Sequence, residues 1–350
     1  MSGRKQHYIP QMLLKGFGEP RGKKTYVTVY HFDRGEFVVP TDGIAAERDF
    51  YSEITGDTSA QTLDDRITNY EGFISKALTH VRSTEIGSLV ERSLVGELIT
   101  HLIIRNNYAR ISSASIALDL FKGLGEILSS AEGTLKFFGI EKDQPSKRFS
   151  DSIAEILSER RNEIKMLGMS ESQAHILILE YLKSNPDHLY QVLQPLVNAL
   201  PLINEQAPEI AANAQKRGMG RELSPSQRVK RMTEFEWRVV AAERDLILPD
   251  CIAISIMKDG TTAALMLSGF DDVSHILMPV SKDRILLGTR LSHFEIPEEI
   301  NQMASCCCWD FFIAPSKSHD FSELRKNIRV QMQDFSRQLV RGAIASAMEA

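Results

Sequence analysis

The chain has 350 residues, and 43% of them are apolar, which is enough to bury a sizeable core in one domain or two. Lys and Arg number 41 against 46 Asp and Glu, so the mildly acidic chain has no overall positive field that would attract nucleic acid. No stretch approaches the roughly 20 consecutive apolar residues that cross a bilayer, and we therefore expect no membrane partner.

The first ordered stretch is predicted to be a short helix that begins near Pro10. Proline suits the first position of a helix, because its fixed φ fits there and its missing N–H would have no partner. One face of this helix is apolar and carries Leu13, Leu14 and Phe17. His7 and Gln11 stay as polar residues at the start of the helix, so the stretch predicts a site as well as an element.

Later segments alternate between strand and helix patterns. Residues 25–39 alternate apolar and polar side chains around a turn that contains Gly35, which predicts a β-hairpin. Residues 61–235 carry apolar side chains at helical spacing and predict a central helical lobe. Residues 237–288 return to short β segments separated by turns, and a long amphipathic helix is predicted over 320–349.

These elements predict an α+β fold, organised as a single domain with two lobes over residues 1–350. We expect the helical lobe to pack on an antiparallel sheet built from the N-terminal hairpin and the C-terminal strands. Within the helical lobe, Asp151 is expected to cap one helix, and Ser170 with Glu171 to begin the next. Residues 141–146 are predicted to be an exposed connection.

The opening residues also carry a motif. The pattern His-Tyr-x-Pro-Gln-x-x-Leu-x-x-Phe, which starts at His7, resembles the opening of a family of uncharacterised bacterial proteins that is defined as a domain of unknown function. Further short matches to that family are Asp49-Phe50-Tyr51, Glu71, the segment from Arg105 to Arg110, Trp237, Asp250 and Met278-Pro279-Val280. The matches extend over most of the chain, and the resemblance implies no established activity.

His7 and Gln11 are the first candidate site residues. A histidine that titrates near neutral pH can act as general base, metal ligand or phosphate partner, with Gln11 orienting the ligand. Alternatively, His7 caps the helix that begins at Pro10, and Gln11 satisfies a buried backbone group. The sequence leaves both alternatives open.

Arg105 and Arg110 lie near the end of an apolar helix, and Glu71 lies on the long helix before it. A guanidinium held on a rigid helix can bind a phosphate or a carboxylate through two hydrogen bonds. Basic residues at a helix C-terminus are also favoured by the helix dipole alone. A solvated side chain is the default for Glu71, and its match to the family pattern favours a functional role.

Asp250 follows an apolar run and precedes a predicted strand. A carboxylate there can serve as a base or a metal ligand, or it can simply form the turn. The second half of a nuclease motif, Glu-x-Lys, does not follow it. A separate basic segment offers five side chains for local contact with nucleic acid or a nucleotide, and it is expected to be a loop or a surface helix. Its members are Lys216, Arg217, Arg221, Arg228 and Lys230.

Three of the four cysteines are consecutive at Cys306, Cys307 and Cys308, where they cannot all face one tetrahedral ion. We expect small buried hydrophobic residues there and a reduced, cytoplasmic location. Gly-rich phosphate loops and His-Glu-x-x-His zinc motifs are not present in the sequence. The metal ligands are unknown, although a divalent metal is compatible with the candidate site.

Two functions of different class follow from these residues. The first is a hydrolase of nucleic acid or nucleotide phosphodiesters, either a metal-dependent phosphodiesterase or a nuclease. In this hypothesis His7, Glu71 and Asp250 are catalytic. A role in phage defence is a further expectation. The second is a non-catalytic binding or sensor module for an anionic ligand or a protein segment. In either case the polar residues should converge, because burying each of them separately would cost several kcal/mol.

Overall fold

The computed structural model of the protein describes residues 5–52, 62–140, 145–291 and 296–349. Contacts along the chain divide it into two compact units. The first unit comprises Met1–Ser113 and Ile210–Phe335, and the second comprises Ala114–Glu209 and Ser336–Ala350. The prediction of a single domain with two lobes stays a prediction.

The described residues contain both antiparallel strands and long helices. The strands are β1 (Lys5–His7), β2 (Glu19–Arg21), β3 (Lys24–His31), β4 (Gly35–Pro40), β5 (Ala46–Arg48), β6 (Leu89–Val90), β7 (Glu236–Ala241), β8 (Leu248–Pro249), β9 (Ile254–Met257), β10 (Thr262–Ala264), β11 (Val273–Ser281), β12 (Arg284–Thr289) and β13 (Phe311–Ala314). The helices are α1 (Gln11–Leu14), α2 (Leu63–Ser83), α3 (Arg92–Ile104), α4 (Asn107–Ile127), α5 (Ala131–Phe137), α6 (Lys147–Glu159), α7 (Arg161–Met166), α8 (Glu171–Ser184), α9 (Pro186–Arg221), α10 (Ser226–Met232), α11 (Ile300–Cys306), α12 (His319–Leu324) and α13 (Val330–Glu349). The predicted α+β class is confirmed.

The strands of the first unit form three antiparallel groups. Six of them make one sheet in the order β10-β9-β11-β12-β7-β6. A second sheet has the order β2-β3-β13-β8, with β4 paired to β3, and β1 pairs with β5. The second sheet therefore combines strands from the N-terminal and the C-terminal parts of the chain.

The predicted N-terminal hairpin is confirmed as β3 and β4, with Val29 opposite Phe37. It joins C-terminal strands, as expected: β3 pairs with the short strand β13, and β13 pairs in turn with β8. The strands between residues 254 and 289 form the six-stranded sheet instead. The hairpin selects β13 because Phe311–Ala314 is buried along its whole length and fits a central strand position.

Side-chain caps mark the starts of α6 and α8. Ser170 caps α8 as predicted, and it forms a capping box with Gln173. The expectation that Asp151 begins a helix is wrong, because Ser146 accepts a hydrogen bond from the Phe149 N–H and starts α6 earlier. Residues 141–144 of the predicted connection lie outside the described residues.

The predicted helix over 320–349 is interrupted. It consists of α12, a 3₁₀ turn at Arg325–Asn327 and α13. Arg329 adopts a φ of 74° at the break, and its Nε donates to the Trp309 carbonyl at 2.8 Å. The prediction of one continuous helix is therefore wrong. The contact with Trp309 holds Arg329 in the left-handed region, which a helix cannot accommodate.

The short helix α1 is anchored to the rest of the first unit by Arg82 of α2. The Arg82 guanidinium donates to the carbonyls of Met12 at 2.9 Å, Leu13 at 3.1 Å and Val280 at 2.7 Å. The predicted apolar face is fully buried and consists of Leu13, Leu14 and Phe17. This anchoring fixes the position of the polar residues that come immediately before α1.

Candidate functional site

His7 and Gln11 meet where β1 ends and α1 begins. His7 pairs with Ala46 of β5 through the backbone. The Gln11 Nε2 lies 3.0 Å from the His7 Nε2, and the amide donates to the ring nitrogen in this orientation. The His7 Nδ1 is buried, and a hydrogen bond from the ring to the Ile44 backbone raises the pKa of His7 in part. The two predicted residues therefore contact each other directly.

Arg105 is the centre of the polar cluster, which we define as His7, Gln11, Tyr51, Glu71, His101 and Arg105. Only 1% of its side chain is exposed, at the C-terminus of α3. Its Nη2 donates to the His7 carbonyl at 2.6 Å and contacts the Glu71 Oε1 at 2.8 Å. Its Nε donates to the Tyr51 hydroxyl at 3.3 Å. The guanidinium therefore links β1, α2 and α3.

Glu71 supplies the negative charge that this buried guanidinium requires. It projects from the middle of α2, and 32% of its side chain remains exposed. A buried charge without a partner would be strongly destabilising, so the Arg105–Glu71 pair stabilises the packing of α3 near β1. The predicted convergence of His7, Glu71 and Arg105 is observed, and their predicted roles stay predictions.

The pKa of His7 is lowered below its ordinary value, first because burial disfavours the charged ring and then because Lys5 and Arg105 repel a proton. Glu71 acts in the opposite direction and raises this pKa in part. The imidazole is therefore neutral at pH 7, and two cations lie near it against one carboxylate. A neutral base in a locally positive environment results.

Sequence reasoning missed two members of the polar cluster. His101 lies one turn before Arg105 on α3, its Nδ1 lies 2.9 Å from the Leu223 carbonyl, and burial lowers its pKa to about 3. The Tyr51 hydroxyl donates to the Arg105 carbonyl at 2.7 Å. The available signal was the i, i+4 spacing of His101 and Arg105 in an otherwise apolar helix.

Arg110 is separate from the polar cluster. Its guanidinium lies 3.3 Å from the centre of the Phe50 ring, and its Nη2 donates to the Phe50 carbonyl at 2.7 Å. Its Nε hydrogen-bonds to the Gln215 side chain, and burial lowers the pKa of Arg110 to about 10. Arg110 thus holds the segment before Tyr51 in place, and its substrate-binding role stays a prediction.

Asp250 faces a backbone turn and not the Arg105 guanidinium. Its buried carboxylate accepts hydrogen bonds from the N–H groups of Trp309 at 3.1 Å, Asp310 at 2.6 Å and Phe311 at 3.2 Å. Burial raises the pKa of Asp250 to about 7, and the three N–H donors oppose that rise. These contacts favour the turn-forming alternative, and a catalytic role stays a prediction.

Asn106, the residue after Arg105, connects Asp250 to the polar cluster. The Asn106 side-chain amide donates to the Asp250 carbonyl. The Asp250 charge also contributes to raising the pKa of Tyr8, the neighbour of His7, although burial is the main cause. Asp250 therefore lies close to the polar cluster without joining its hydrogen bonds.

The predicted basic segment is helical and divides into two groups. Lys216 donates to the Ser52 carbonyl at 2.8 Å, and Arg228 donates to the Leu265 carbonyl at 2.8 Å. Arg217, Arg221 and Lys230 are exposed. Two of the five cations are therefore engaged inside the first unit, and nucleic-acid binding by the others stays a prediction.

Among the described residues, no three His, Cys, Asp or Glu side chains are grouped closely enough to hold a metal ion. Cys307 and Cys308 are buried, as predicted for small apolar residues, and Cys306 is half-buried. A divalent metal stays a prediction. No helix within the described ranges is long and apolar enough to cross a membrane.

The fold and the polar cluster define an α+β protein in which a buried arginine pairs with a partly exposed glutamate close to a neutral histidine. A family model described as "Protein of unknown function (DUF4238)" matches residues 5–340, and the chain belongs to that family. The predicted membership of a family of unknown function is thereby confirmed. No curated protein and no solved structure matches the chain.

Proposed function

We propose that the chain is a hydrolase of phosphodiesters in nucleic acids or nucleotides, with His7 as general base. The observation that supports this proposal is the half-buried His7 imidazole, which contacts Gln11 and whose backbone carbonyl accepts from the buried Arg105. Burial first, then Lys5 and Arg105, lower the pKa of His7, and Glu71 opposes that effect. A neutral base can accept a proton from water or a hydroxyl group, and the local positive charge favours an anionic substrate.

The contacts of each residue indicate its role in this proposal. The His7 Nε2 is the nitrogen that takes the proton, because the Nδ1 is buried. Gln11 donates to that Nε2 in the resting protein and turns to the substrate when the proton is transferred. Arg105 and Glu71 are positioning residues, because they pair with each other and Arg105 also donates to the His7 carbonyl.

The test is turnover by the full chain on a panel of single-stranded and double-stranded RNA and DNA, cyclic nucleotides and a chromogenic phosphodiester. Each substrate is assayed with a chelator, with Mg²⁺ and with Mn²⁺. We expect His7→Ala to lower kcat/KM by about 10² to 10⁴, the usual contribution of a general base. His80→Ala is the matched control, because His80 is exposed on α2.

The pH profile gives a second readout. A general base stops accepting protons when it is itself protonated, and the pKa of His7 lies below 6.5. The midpoint of the acid limb of kcat/KM for the wild-type chain should therefore lie below pH 6.5. A midpoint above pH 6.5, or equal rates for His7→Ala and His80→Ala, would overturn the role of His7.

A non-catalytic binding module is the alternative function, and one observation favours it. The Arg105 guanidinium donates to His7, Glu71 and Tyr51, so its donors are used inside the protein and not by a ligand. In that case an anionic ligand would be held by the surrounding positive field and by Gln11. Saturable binding of one of the nucleic acids or nucleotides in the panel, without turnover in chelator, Mg²⁺ or Mn²⁺, would support the binding function and overturn the hydrolase proposal.

A further inference from the structure

His101 is a member of the polar cluster to which the proposed function assigns no role. Its side chain is completely buried on α3. Its Nδ1 lies 2.9 Å from the Leu223 carbonyl oxygen, and its Nε2 lies 3.4 Å from the Arg105 Nη1. Each ring nitrogen therefore has a partner of known hydrogen-bonding chemistry, and the direction of both hydrogen bonds follows from those partners.

The two partners define the protonation state of the His101 ring. A carbonyl oxygen only accepts, so the Nδ1 carries a hydrogen and donates to Leu223. A guanidinium only donates and keeps its charge in proteins, so the Nε2 must offer its lone pair to Arg105. Burial, and then the charge of Arg105, lower the pKa of His101 to about 3. The imidazole is therefore a neutral acceptor for the Arg105 guanidinium.

The backbone that supports this ring is itself held in place. Ser224 follows Leu223, and its hydroxyl lies 3.1 Å from the Tyr70 hydroxyl and 3.3 Å from the Glu97 carbonyl oxygen. The Tyr70 hydroxyl also donates to the Glu97 carboxylate at 3.0 Å. These contacts attach residues 223 and 224 to both α2 and α3. His101 thus donates to a carbonyl whose position is fixed from two sides.

We propose that His101 is a positioning residue for His7, which acts by accepting a hydrogen bond from the Arg105 Nη1. The Nη2 of the same guanidinium donates to the His7 carbonyl at 2.6 Å and contacts the Glu71 carboxylate at 2.8 Å. Because the guanidinium is planar and rigid, an acceptor that fixes Nη1 also sets the direction of Nη2. Without that acceptor, the guanidinium is free to follow the partly exposed Glu71 away from His7.

The first test is the tautomer of His101 in the wild-type chain. Long-range ¹H–¹⁵N NMR spectra of full-length protein labelled at histidine should show a protonated Nδ1 and an unprotonated Nε2 over about pH 5 to 8, where an ordinary histidine titrates. This measurement needs neither activity nor a variant that folds. A hydrogen on Nε2, or a His101 ring that titrates within this range, would overturn the proposal.

Two amide substitutions separate the two hydrogen bonds of His101. In His101→Gln the amide reaches about the position of Nε2 and still accepts from Arg105, whereas in His101→Asn it reaches about the position of Nδ1 and serves Leu223 alone. Each variant loses one hydrogen bond, so a merely structural role predicts equal effects. His80→Asn is the control, because His80 is exposed on α2.

The readout is the titration of His7 by NMR. Arg105 contributes to lowering the pKa of His7, so we expect this pKa to rise in His101→Asn, where the guanidinium moves away. It should stay at the wild-type value in His101→Gln and in His80→Asn. An unchanged pKa of His7 in folded His101→Asn, or equal shifts in the Asn and Gln variants, would overturn the positioning role.

The effect of His101 on catalysis rests on the proposed function and is measured separately. The kcat/KM of His101→Asn should fall by about 10-fold to 100-fold, mainly through kcat, because a displaced base reacts poorly. The loss in His101→Gln should be much smaller. A wild-type chain without turnover would overturn the hydrolase proposal alone, because the NMR titration still decides whether His101 positions Arg105 and His7. Equal losses of kcat in the Asn and Gln variants would overturn the positioning role.

Discussion

Arg105 shows how the cost of burying one charge organises several neighbouring residues. Its side chain is almost completely inaccessible, yet it has a carboxylate, a hydroxyl group and a backbone carbonyl as partners. These partners come from three separate segments of the chain, so the guanidinium acts as a cross-link. Glu71 is the most informative of them, because it alone provides a full opposite charge.

Replacing Glu71 with Gln should therefore destabilise the fold. The amide keeps the shape but leaves the Arg105 charge unbalanced, and removing one partner of a buried ion pair is costly. Because about a third of the Glu71 side chain is exposed, solvent screens part of the loss, and we expect the free energy of unfolding to fall by about 2–3 kcal/mol. Urea denaturation measures this difference.

Glu85→Gln is the control for that measurement. Glu85 is exposed and follows the same helix, α2, so its replacement should change the free energy of unfolding by less than about 0.5 kcal/mol. Equal midpoints for Glu71→Gln and Glu85→Gln would show that Arg105 does not depend on the Glu71 charge, and its burial would then need another explanation.

The sequence indicated part of the site because burying a polar or charged side chain without a partner is costly. Polar residues beside apolar helices must find partners, and this argument correctly brought together His7, Glu71 and Arg105. It could not find the partners of Asp250, which are backbone N–H groups of residues 309–311. Backbone donors have no sequence signature, so a buried carboxylate that caps a turn looks the same in sequence as a catalytic one.

At the level of elements, local patterns predicted strands and helices better than their pairing. The alternation over 25–39 and the capping Ser170 depend on neighbouring residues, and both predictions are confirmed. The pairing of the hairpin strand β3 with β13 depends on contacts across most of the chain length. Such long-range pairing is determined by the packing of buried faces, which a single sequence does not reveal.

The six-stranded sheet offers a matched pair of glycine substitutions. A Cβ at Gly288 of β12 would lie only 2.6 Å from the buried Trp237 ring of β7. Gly288→Ala should therefore lower the free energy of unfolding by about 1–3 kcal/mol, because a rigid indole cannot move aside. The denaturant midpoint measured by tryptophan fluorescence reports the change.

Gly72 is the opposite case in the same unit. It lies within α2, and no atom is close to the position of its missing Cβ. Gly72→Ala should raise the free energy of unfolding by about 0.5–1 kcal/mol, because alanine loses less backbone entropy in a helix. A stabilising Gly288→Ala would show that the Trp237 ring is loosely packed, contrary to its complete burial.

At the scale of the whole molecule, the two compact units differ in the size of their cores. The main core contains residues of the six-stranded sheet and of α2 and α3. The module of α6, α7 and α8 in the second unit has its own cluster of four buried residues. Stability is expected to be distributed unequally, because the free energy of local opening follows the apolar surface that each segment buries.

Hydrogen exchange followed by mass spectrometry tests this inequality. The central strand β11 is buried along nearly all its length and is paired on both sides by β9 and β12. We expect its amides to exchange about two orders of magnitude more slowly than those of α6 and α8, which open without unfolding the sheet. Equal protection of β11 and α8 would mean that the chain opens as one cooperative unit, and it would support the single domain predicted from the sequence.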